Sequence, residues 1–309
     1  MTPFQFKLIL AYLLDIIAQM RKALITGAYS AYPEEYVAEN SYIPASHSHW
    51  AKLKSESEPI LRALIDLKSP LERSYTRALF CGNQLEQVGP SKFKGQYCKQ
   101  RFCQACLIRR RARLRNEYLN PLKLLPNLSH VILTAPTVDA ESLPYEIIRR
   151  KGIMKKISDT LRKRKQPILG IRVLEVTHEP YQDKYNPHNH LLIDGEANAN
   201  LIMHEWLKRM PEAKLEAQTI REIQDEETEI ILSYITKGVV DLSSNIQALD
   251  AIFRATQGSR IFQPLGSIRK VVPPKADEIK EATESSHNIF RWDKHEKNWV
   301  DRDTGELRP

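Results

Sequence analysis

Two histidines that stand one residue apart, His188 and His190, are the side chains of this sequence best suited to bind a metal. They lie in the run 187–193, which ends in three aliphatic residues and predicts a β-strand. Alternate residues of a strand point to the same face, so the two imidazoles are expected side by side. Two neutral imidazoles on one rigid strand supply half of a divalent-metal site.

A carboxylate for the same site is predicted at Glu175, within an aliphatic run. A buried carboxylate needs a partner charge or a metal, because an ionised group is costly to bury. If its strand pairs antiparallel with the histidine strand, Glu175 completes a Glu-His-His set of ligands. The alternative is that Glu175 lies on the exposed face of an edge strand and binds no metal. His178 is a competing ligand, but three residues further along a strand it points to the opposite face. A second His-x-His, at His47 and His49, lies in a Pro- and Ser-rich segment that predicts a loop.

A nucleophile is predicted at Tyr234, in a helix whose last turn also carries Lys237. Residues three apart share a helix face, so this spacing places a phenol oxygen beside a cation. Tyr181 has the same spacing to Lys184, and Tyr185 follows, but all three fall in a predicted hairpin loop. A catalytic tyrosine is best aimed by a rigid element, which favours Tyr234.

The cysteines of the chain fall within one short window, in the pattern Cys-x16-Cys-x4-Cys-x2-Cys. They are Cys81, Cys98, Cys103 and Cys106. Four thiols that close in a Cys-x-x-Cys knuckle suit one tetrahedral structural Zn²⁺. Basic neighbours stabilise thiolates and also suit a module that faces phosphate. The alternatives are four unrelated buried thiols, or a redox Cys-x-x-Cys, which nothing thioredoxin-like precedes.

The net charge of +8 favours a polyanionic partner. Two basic runs, 99–123 and 149–165, contain a single acid each. Such a run is either a solvated helix face or a nucleic-acid contact, and two of them around a predicted metal site favour nucleic acid. Helices expected near 107–118 and 145–165 therefore predict binding to single-stranded or hairpin DNA. The arginines predicted to bind DNA are Arg101, Arg109, Arg110, Arg111 and Arg113.

The amino-terminal residues 4–26 predict an amphipathic helix, because polar residues interrupt their apolar run at helical intervals. A loop or linker over 27–55 and a short helix over 57–68 follow. A secretory signal is not expected, since a cationic start and a small-residue cleavage site are missing. No stretch reaches the roughly 18 apolar residues of a membrane span, so a cytoplasmic protein with no membrane partner is expected.

From residue 129 onward the pattern predicts the order β-α-β-β-α-β-α. The strands are expected at 130–134, 168–178, 187–193 and 214–223, and the helices at 143–165, 201–210 and 225–237. A further helix is expected near 244–257, after this order. This order is typical of an antiparallel sheet of the split βαβ (ferredoxin- or RRM-like) type. The expected fold class is therefore α+β, with an N-terminal helical and zinc-binding segment. Such a sheet can bury one face under helices and leave the other for a ligand.

Three motifs follow one another at workable spacing. The first is the hydrophobic strand 130–134, which closes in Leu-Thr; the second combines Leu-Glu-Val-Thr at 174–177 with 186–192; the third is Tyr-Ile-Thr-Lys at 234–237. In this order they resemble the motifs of the single-tyrosine rolling-circle plasmid replication initiators (Rep proteins), of the HUH endonuclease superfamily. The resemblance covers roughly residues 78–240. Some of these initiators also carry an Arg-Phe-Cys-x-x-Cys segment ahead of the first motif, as 101–106 does here.

The resemblance implies an enzyme that nicks and joins single-stranded DNA at a plasmid origin. Mn²⁺ or Mg²⁺ at His188, His190 and Glu175 would polarise the scissile phosphate. Tyr234 would attack it, leaving a 5′-phosphotyrosine and a free 3′-hydroxyl. Lys237 would lower the tyrosine pKa or offset phosphate charge, and a host helicase and polymerase are implied as partners.

Two positions depart from the family's pattern. Asn189 stands between the histidines, where the family usually has a hydrophobic residue. Ile230 stands where a glutamate can activate water for a second cleavage, with Glu227 and Glu229 nearby. A related HUH relaxase or transposase shares the chemistry, and a non-catalytic zinc-containing DNA-binding regulator is an alternative of another class.

The division of the chain that these motifs predict has four segments. They are an N-terminal helical region (1–77), a basic zinc-binding module (78–125), an HUH endonuclease domain (126–260) and a C-terminal extension (261–309).

Overall fold

The computed structural model describes residues 42–43, 48–89, 92–237, 245–271 and 288–308, all within one compact unit, Asn40–Pro309. The helix expected over 4–26 lies outside the described residues. The helices are α1 (Ser48–Asp66), α2 (Glu72–Leu79), α3 (Gln104–Lys123), α4 (Leu143–Lys163), α5 (Glu196–Arg209), α6 (Asp225–Ile235) and α7 (Ile246–Thr256). The strands are β1 (Tyr42–Ile43), β2 (Gln84–Gly89), β3 (Lys92–Gly95), β4 (Leu128–Leu133), β5 (Gly170–Glu179), β6 (Lys184–Asp194), β7 (Thr219–Glu222), β8 (Phe262–Leu265), β9 (Ile289–Asp293) and β10 (Asn298–Asp301).

The central sheet has the strand order β7-β4-β6-β5-β8, and every neighbouring pair in it is antiparallel. Its first four strands, with α4 and α5 as the crossovers, form the split βαβ arrangement that the element order predicts. The α+β fold class is therefore confirmed. Strand β8 extends the sheet beyond β5, an addition that the sequence pattern does not indicate.

Helices cover both faces of this sheet. On one face Leu191 and Ile193 pack with Ile157 of α4 and Trp206 of α5. On the other face the apolar sides of α3 and α6 pack over strands β5 and β6, with Val173 and Leu192 among the buried contacts. The expectation of an open sheet face is wrong, because the apolar residues of basic helix α3 need burial as much as those of α4 do.

A second sheet, of order β1-β3-β2-β9-β10, joins the cysteine-bearing segment to the C-terminal hairpin. Strand β9 pairs with β2, and the indole nitrogen of Trp299 donates to the carbonyl of Gly82 at 2.7 Å. Residues far apart in sequence thus share one small sheet. The four-segment division stays a prediction.

Two local predictions are wrong, and a third is right only in part. Residues 48–55, expected as loop, belong to α1, where buried Trp50 and Leu61 anchor a helix that contains Pro59. Tyr185, expected in the hairpin loop, lies in β6 and is buried. The strand expected over 214–223 is a short 3₁₀ turn followed by β7. In each case tertiary packing overrides local composition.

One buried polar group is poorly matched to its surroundings. Asn189 is fully buried, opposite Leu133 on one neighbouring strand and Leu174 on the other. Neither its amide oxygen nor its amide nitrogen has a hydrogen-bond partner in the part of the chain that the structure describes. A buried amide left in this state destabilises a fold.

Replacing Asn189 by leucine should therefore stabilise the protein, by about 1–3 kcal/mol, since it removes an unmatched amide from an apolar layer. Urea unfolding followed by circular dichroism measures the change. Asn198→Leu is the control and should not stabilise, because the Asn198 amide donates to the carbonyl of Asp194 at 2.7 Å. A lower unfolding midpoint for Asn189→Leu would contradict this account of the layer.

Candidate metal and nucleophile site

The antiparallel pairing of β5 and β6 places the three predicted ligands together. Glu175 lies directly opposite His188, and Val173 lies opposite His190. Directly opposed residues of antiparallel strands point to the same face, so the carboxylate and both imidazoles project to one side. His178 takes the opposite face and bonds Asp183 instead, with 2.8 Å between its Nε2 and the carboxylate.

The ligand atoms of the three residues all lie within 4.8 Å of one another. Nε2 of His190 is 2.8 Å from Oε2 of Glu175, and Nε2 of His188 is 3.1 Å from Nε2 of His190. Ligands of one octahedral cation at metal–ligand distances near 2.1 Å stand about 3 Å apart when adjacent. The separations fit one divalent cation, while two nitrogens and one oxygen suit several metals.

Hydrogen bonds behind the histidines fix which nitrogen faces the site. Nδ1 of His188 donates to the carbonyl of Asn186 at 2.9 Å, which leaves the Nε2 lone pair for a metal. Nδ1 of His190 lies 3.1 Å from Nε2 of His130, a stacked ring on the neighbouring strand β4. His130 thus orients His190. The sequence pattern alone indicates only that His130 belongs to the first motif, because its contact with His190 depends on the register between strands.

The protonation states suit metal binding. Loss of solvent lowers the pKa of His130 to about 3, and burial likewise lowers the pKa of His190, so both rings are neutral at neutral pH. Burial alone would raise the pKa of Glu175, but its hydrogen bonds with His188 and His190 outweigh this and hold that pKa well below its usual range. A charged carboxylate beside neutral imidazoles is the state that a divalent cation needs.

Helix α6 carries Tyr234 to this site. A capping box between Gln224 and Glu227 begins the helix, and Leu232 and Ile235 bury against the sheet. The ring of Tyr234 lies 6.1 Å from that of His190, centroid to centroid, at 87°. The structure therefore brings the predicted nucleophile next to the predicted metal ligands.

Lys237, just beyond the end of α6, faces both groups. Its Nζ lies 4.0 Å from the centroid of the Tyr234 ring and 3.9 Å from Oε1 of Glu175. The side chain of Lys237 is 33% exposed, so its charge remains only partly screened by water. A cation at this position can stabilise negative charge on the phenol oxygen or on a bound phosphate.

The rival residues lie elsewhere. Tyr181 is 98% exposed in the β5–β6 turn, and Tyr185 packs against His178 with 4.9 Å between ring centroids. His49 lies in α1, and His47 is outside the described residues. Both acids near Ile230 are in ion pairs: Glu227 pairs with Arg221 at 2.9 Å, and Glu229 pairs with Arg115.

The four cysteines form a second cluster, and none of them is in a disulfide. Sγ of Cys106 lies 3.6 Å from that of Cys81 and 3.7 Å from that of Cys98. A tetrahedral Zn²⁺ with Zn–S bonds of about 2.3 Å holds its sulfurs about 3.8 Å apart, which these distances match. The amides of Lys99 and Gln100 donate to thiol sulfurs, as expected around thiolates. The donor set fits zinc.

The predicted DNA-binding arginines divide into two groups. Arg101, just before α3, donates to the carbonyls of Thr256 and Ser259. Arg111, within α3, donates to the carbonyl of Ser233 in α6. Both arginines thus join this part of the chain to other elements. Arg109, Arg110 and Arg113 border an open basic groove of about 500 Å³ beside the cysteine cluster, which Arg101 also lines. The groove is lined by Tyr97, Lys99, Gln100, Arg101, Cys106, Leu107, Arg109, Arg110 and Arg113.

Several cations of the basic run 149–165 pair with acids, and two of these acids come from elsewhere in the chain. Arg149 pairs with Glu146 and Glu212, and Arg164 pairs with Glu205. Arg150 is buried and donates to the carbonyls of Pro136 and Pro187, so it supports β6. Helix α4 also lies across the sheet from Tyr234.

Comparison with known proteins gives one partial similarity. A Staphylococcus aureus protein described as "Protein rep" is 30% identical to this chain over 109 residues, which is 33% of the chain. The chain spans 46% of the length of that relative. No protein-family model matches the chain, and no solved structure does. The similarity links a third of the chain to a Rep-type protein. Within the described ranges, no helix combines the length and apolar character needed to cross a membrane.

Removing any one ligand of the candidate metal site should weaken Mn²⁺ binding. We expect His188→Ala, His190→Ala and Glu175→Gln each to lower the Mn²⁺ affinity by roughly tenfold to a hundredfold or more. Losses of this size follow even from mutating residues that only hydrogen-bond to a metal ligand. Electron paramagnetic resonance of free Mn²⁺ measures it. His178→Ala is the matched control, since its ring faces the other side of β5. Equal affinity in the ligand variants and in this control would refute the site.

Purified, reduced protein should contain one zinc per chain at the cysteine cluster. Cys103→Ser should lose that zinc and unfold at a lower temperature, because structural zinc contributes directly to folding. Ala105→Ser, within the same knuckle, should keep it. Elemental analysis and thermal unfolding are the measurements, and a folded, reduced, zinc-free protein of unchanged stability is the contrary result.

Proposed function

We propose that this chain is a plasmid rolling-circle replication initiator that nicks and joins single-stranded DNA at an origin. The observation that carries the proposal is the placement of Tyr234 and Lys237, from α6, beside Glu175 and the two histidines of β6. Transfer of a phosphodiester to a protein side chain requires a nucleophile such as tyrosine, together with positive charge at the phosphate. Here the ligands of a divalent metal and a lysine lie beside such a tyrosine. The partial similarity to a Rep-type protein supports the same class.

The chemistry is a transfer of the phosphodiester from one oxygen to another. The Tyr234 oxygen loses its proton to solvent and forms a bond to phosphorus, while the bond from phosphorus to the preceding 3′ oxygen breaks. That oxygen takes up a proton and leaves as a 3′-hydroxyl, and a 5′-phosphotyrosine remains. A bound Mn²⁺ or Mg²⁺ would supply charge neutralisation of the scissile phosphate.

The protein residues hold the reacting groups in place. His188, His190 and Glu175 would hold the metal ion on one side of the phosphate. His130 keeps His190 in the orientation needed to bind that metal. Lys237 offsets the negative charge that develops on phosphate and phenol oxygens. Because the phosphotyrosine conserves the energy of the broken bond, the reverse reaction joins the ends.

The DNA path runs through the basic groove. A smaller apolar cavity of about 70 Å³ borders Glu175 and shares Arg101 and Arg110 with that groove. The two shared arginines stand between the groove and the metal ligands, a placement that suits a single strand led toward Tyr234. In this proposal the enzyme acts in the cytoplasm, where the freed 3′-hydroxyl serves a host polymerase and a host helicase opens the duplex.

Tyr234→Phe should abolish the covalent adduct between protein and origin DNA, because phenylalanine has no oxygen to attack phosphorus. The test incubates the full chain with labelled single-stranded origin DNA and Mn²⁺ and resolves adducts on a denaturing gel. Tyr181→Phe, a change at an exposed turn, should leave the adduct at the wild-type level. Mn²⁺ and DNA affinities should remain near wild type in both variants.

Two results would oppose the proposal. An adduct in Tyr234→Phe that disappears in Tyr181→Phe would move the nucleophile to the hairpin turn. Tight origin binding without any adduct in the wild-type chain would instead favour the non-catalytic regulator.

A further inference from the structure

A cluster of cations surrounds Ser259, in the segment that links α7 to β8. We call it the Ser259 cluster; its members are Arg101, Lys151, Arg172 and Arg260. Lys151 of α4 donates to the hydroxyl of Ser259 at 3.2 Å. Arg172 of β5 donates to the side-chain oxygen of Gln263 at 3.0 Å, and Arg101 donates to the carbonyl of Ser259. Donors from α4, from β5 and from the residues before α3 thus reach the stretch 256–263.

The cluster lacks acidic partners. In the part of the chain that the structure describes, none of its members forms an ion pair, whereas Arg149, Arg162 and Arg164 of neighbouring α4 all do. Arg172 is 2% exposed, and its Nε has no hydrogen-bond partner among the described residues. A buried charge without a counter-charge is strongly unfavourable, which points to a counter-charge supplied by a ligand.

The electrostatics agree with this geometry. Burial lowers the pKa of Arg172 to about 10, so its guanidinium is still charged at neutral pH. Partial burial, and then the positive charges of Arg172, Arg101 and Arg260, lower the pKa of Lys151. The neighbours of Lys151 therefore repel its proton, and an anion placed among them would relieve that repulsion.

We propose that the Ser259 cluster binds a phosphate-class oxyanion, with Lys151, Arg172 and Arg260 supplying charge and Ser259 its hydroxyl. A tetrahedral oxyanion presents acceptors in several directions, which suits donors that arrive from a helix, a strand and a loop. The anion is either a backbone phosphate of bound DNA or a free phosphate. The DNA source rests on the proposed function, and it requires a strand that reaches the α4 side of the sheet, because Arg172 points to the face opposite Glu175.

Thermal unfolding of the full chain tests the site directly. Phosphate should raise the unfolding temperature relative to chloride at equal ionic strength, and Lys151→Gln should raise the apparent Kd for phosphate about tenfold. Lys155→Gln, one turn along α4 at an exposed position, should behave as wild type. General salt effects of phosphate act on all three proteins alike and cancel in the comparison.

The unfolding temperature measured without phosphate is a second test, because the site and a purely structural role of Lys151 predict opposite changes in it. In chloride, Lys151→Gln should unfold at a temperature no lower than wild type, because it removes one of several like charges. If Lys151 served only as a structural donor to Ser259, this variant would be destabilised. Arg260→Gln, at an exposed position, repeats both measurements without touching a buried residue.

Salt titration of single-stranded DNA binding identifies the source of the anion. If a backbone phosphate occupies the cluster, Lys151→Gln should reduce the slope of log K against log salt by about 0.7. A free phosphate predicts lost phosphate stabilisation with an unchanged DNA slope. Equal phosphate stabilisation of wild type, Lys151→Gln and Arg260→Gln, with unchanged DNA slopes, would overturn the proposal. None of these readouts needs the Tyr234 adduct, so a failure here is separable from a failure of the nicking function.

Discussion

The register between β5 and β6 is the constraint on which the rest of the site depends. A slip of one residue would turn Glu175 to the face that packs against α4, and the histidines would lose their carboxylate. Two contacts oppose such a slip. A side chain on Gly170 would collide with the carbonyl of Leu192, and buried Arg150 donates to the carbonyl of Pro187 immediately before the first histidine. The core and the ligand geometry are thus set by the same pairing.

The position of helix α6 is the second constraint on the site. The same short helix carries both the apolar residues that pack on the sheet and the candidate nucleophile Tyr234. Leu232 and Ile235 fill the core between the helix and the sheet, and Tyr234 lies between them in sequence at the edge of that contact. The tyrosine is therefore aimed by packing rather than by a flexible loop. The His130–His190 pair is neutral and Glu175 is charged. A bound cation would take the place of the hydrogen bond between His190 and Glu175.

Local pattern was enough to predict strands β4, β5, β6 and β7 of the central sheet and the helices that connect them, but not β8. The two-residue period of β6 indicates that its histidines share a face, and the spacing in α6 places Lys237 near Tyr234. Features that depend on distant residues could not be predicted this way. The role of His130 follows from strand pairing, and Glu205 and Glu212, which pair with Arg164 and Arg149, lie far along the chain. The covering of the ligand face by α3 could not be predicted because the cations of that helix interrupt its apolar side, and only its contacts with β5 and β6 show which side is buried.

Anomalous diffraction from crystals of the full chain grown with Mn²⁺ tests the central claim most directly. The account predicts a manganese peak about 2.2 Å from Nε2 of His188, Nε2 of His190 and a carboxylate oxygen of Glu175, on the side of β6 that faces Tyr234. Nδ1 of His190 should remain hydrogen-bonded to His130. A peak held by other residues, or one that leaves Glu175 outside the coordination sphere, would contradict the account.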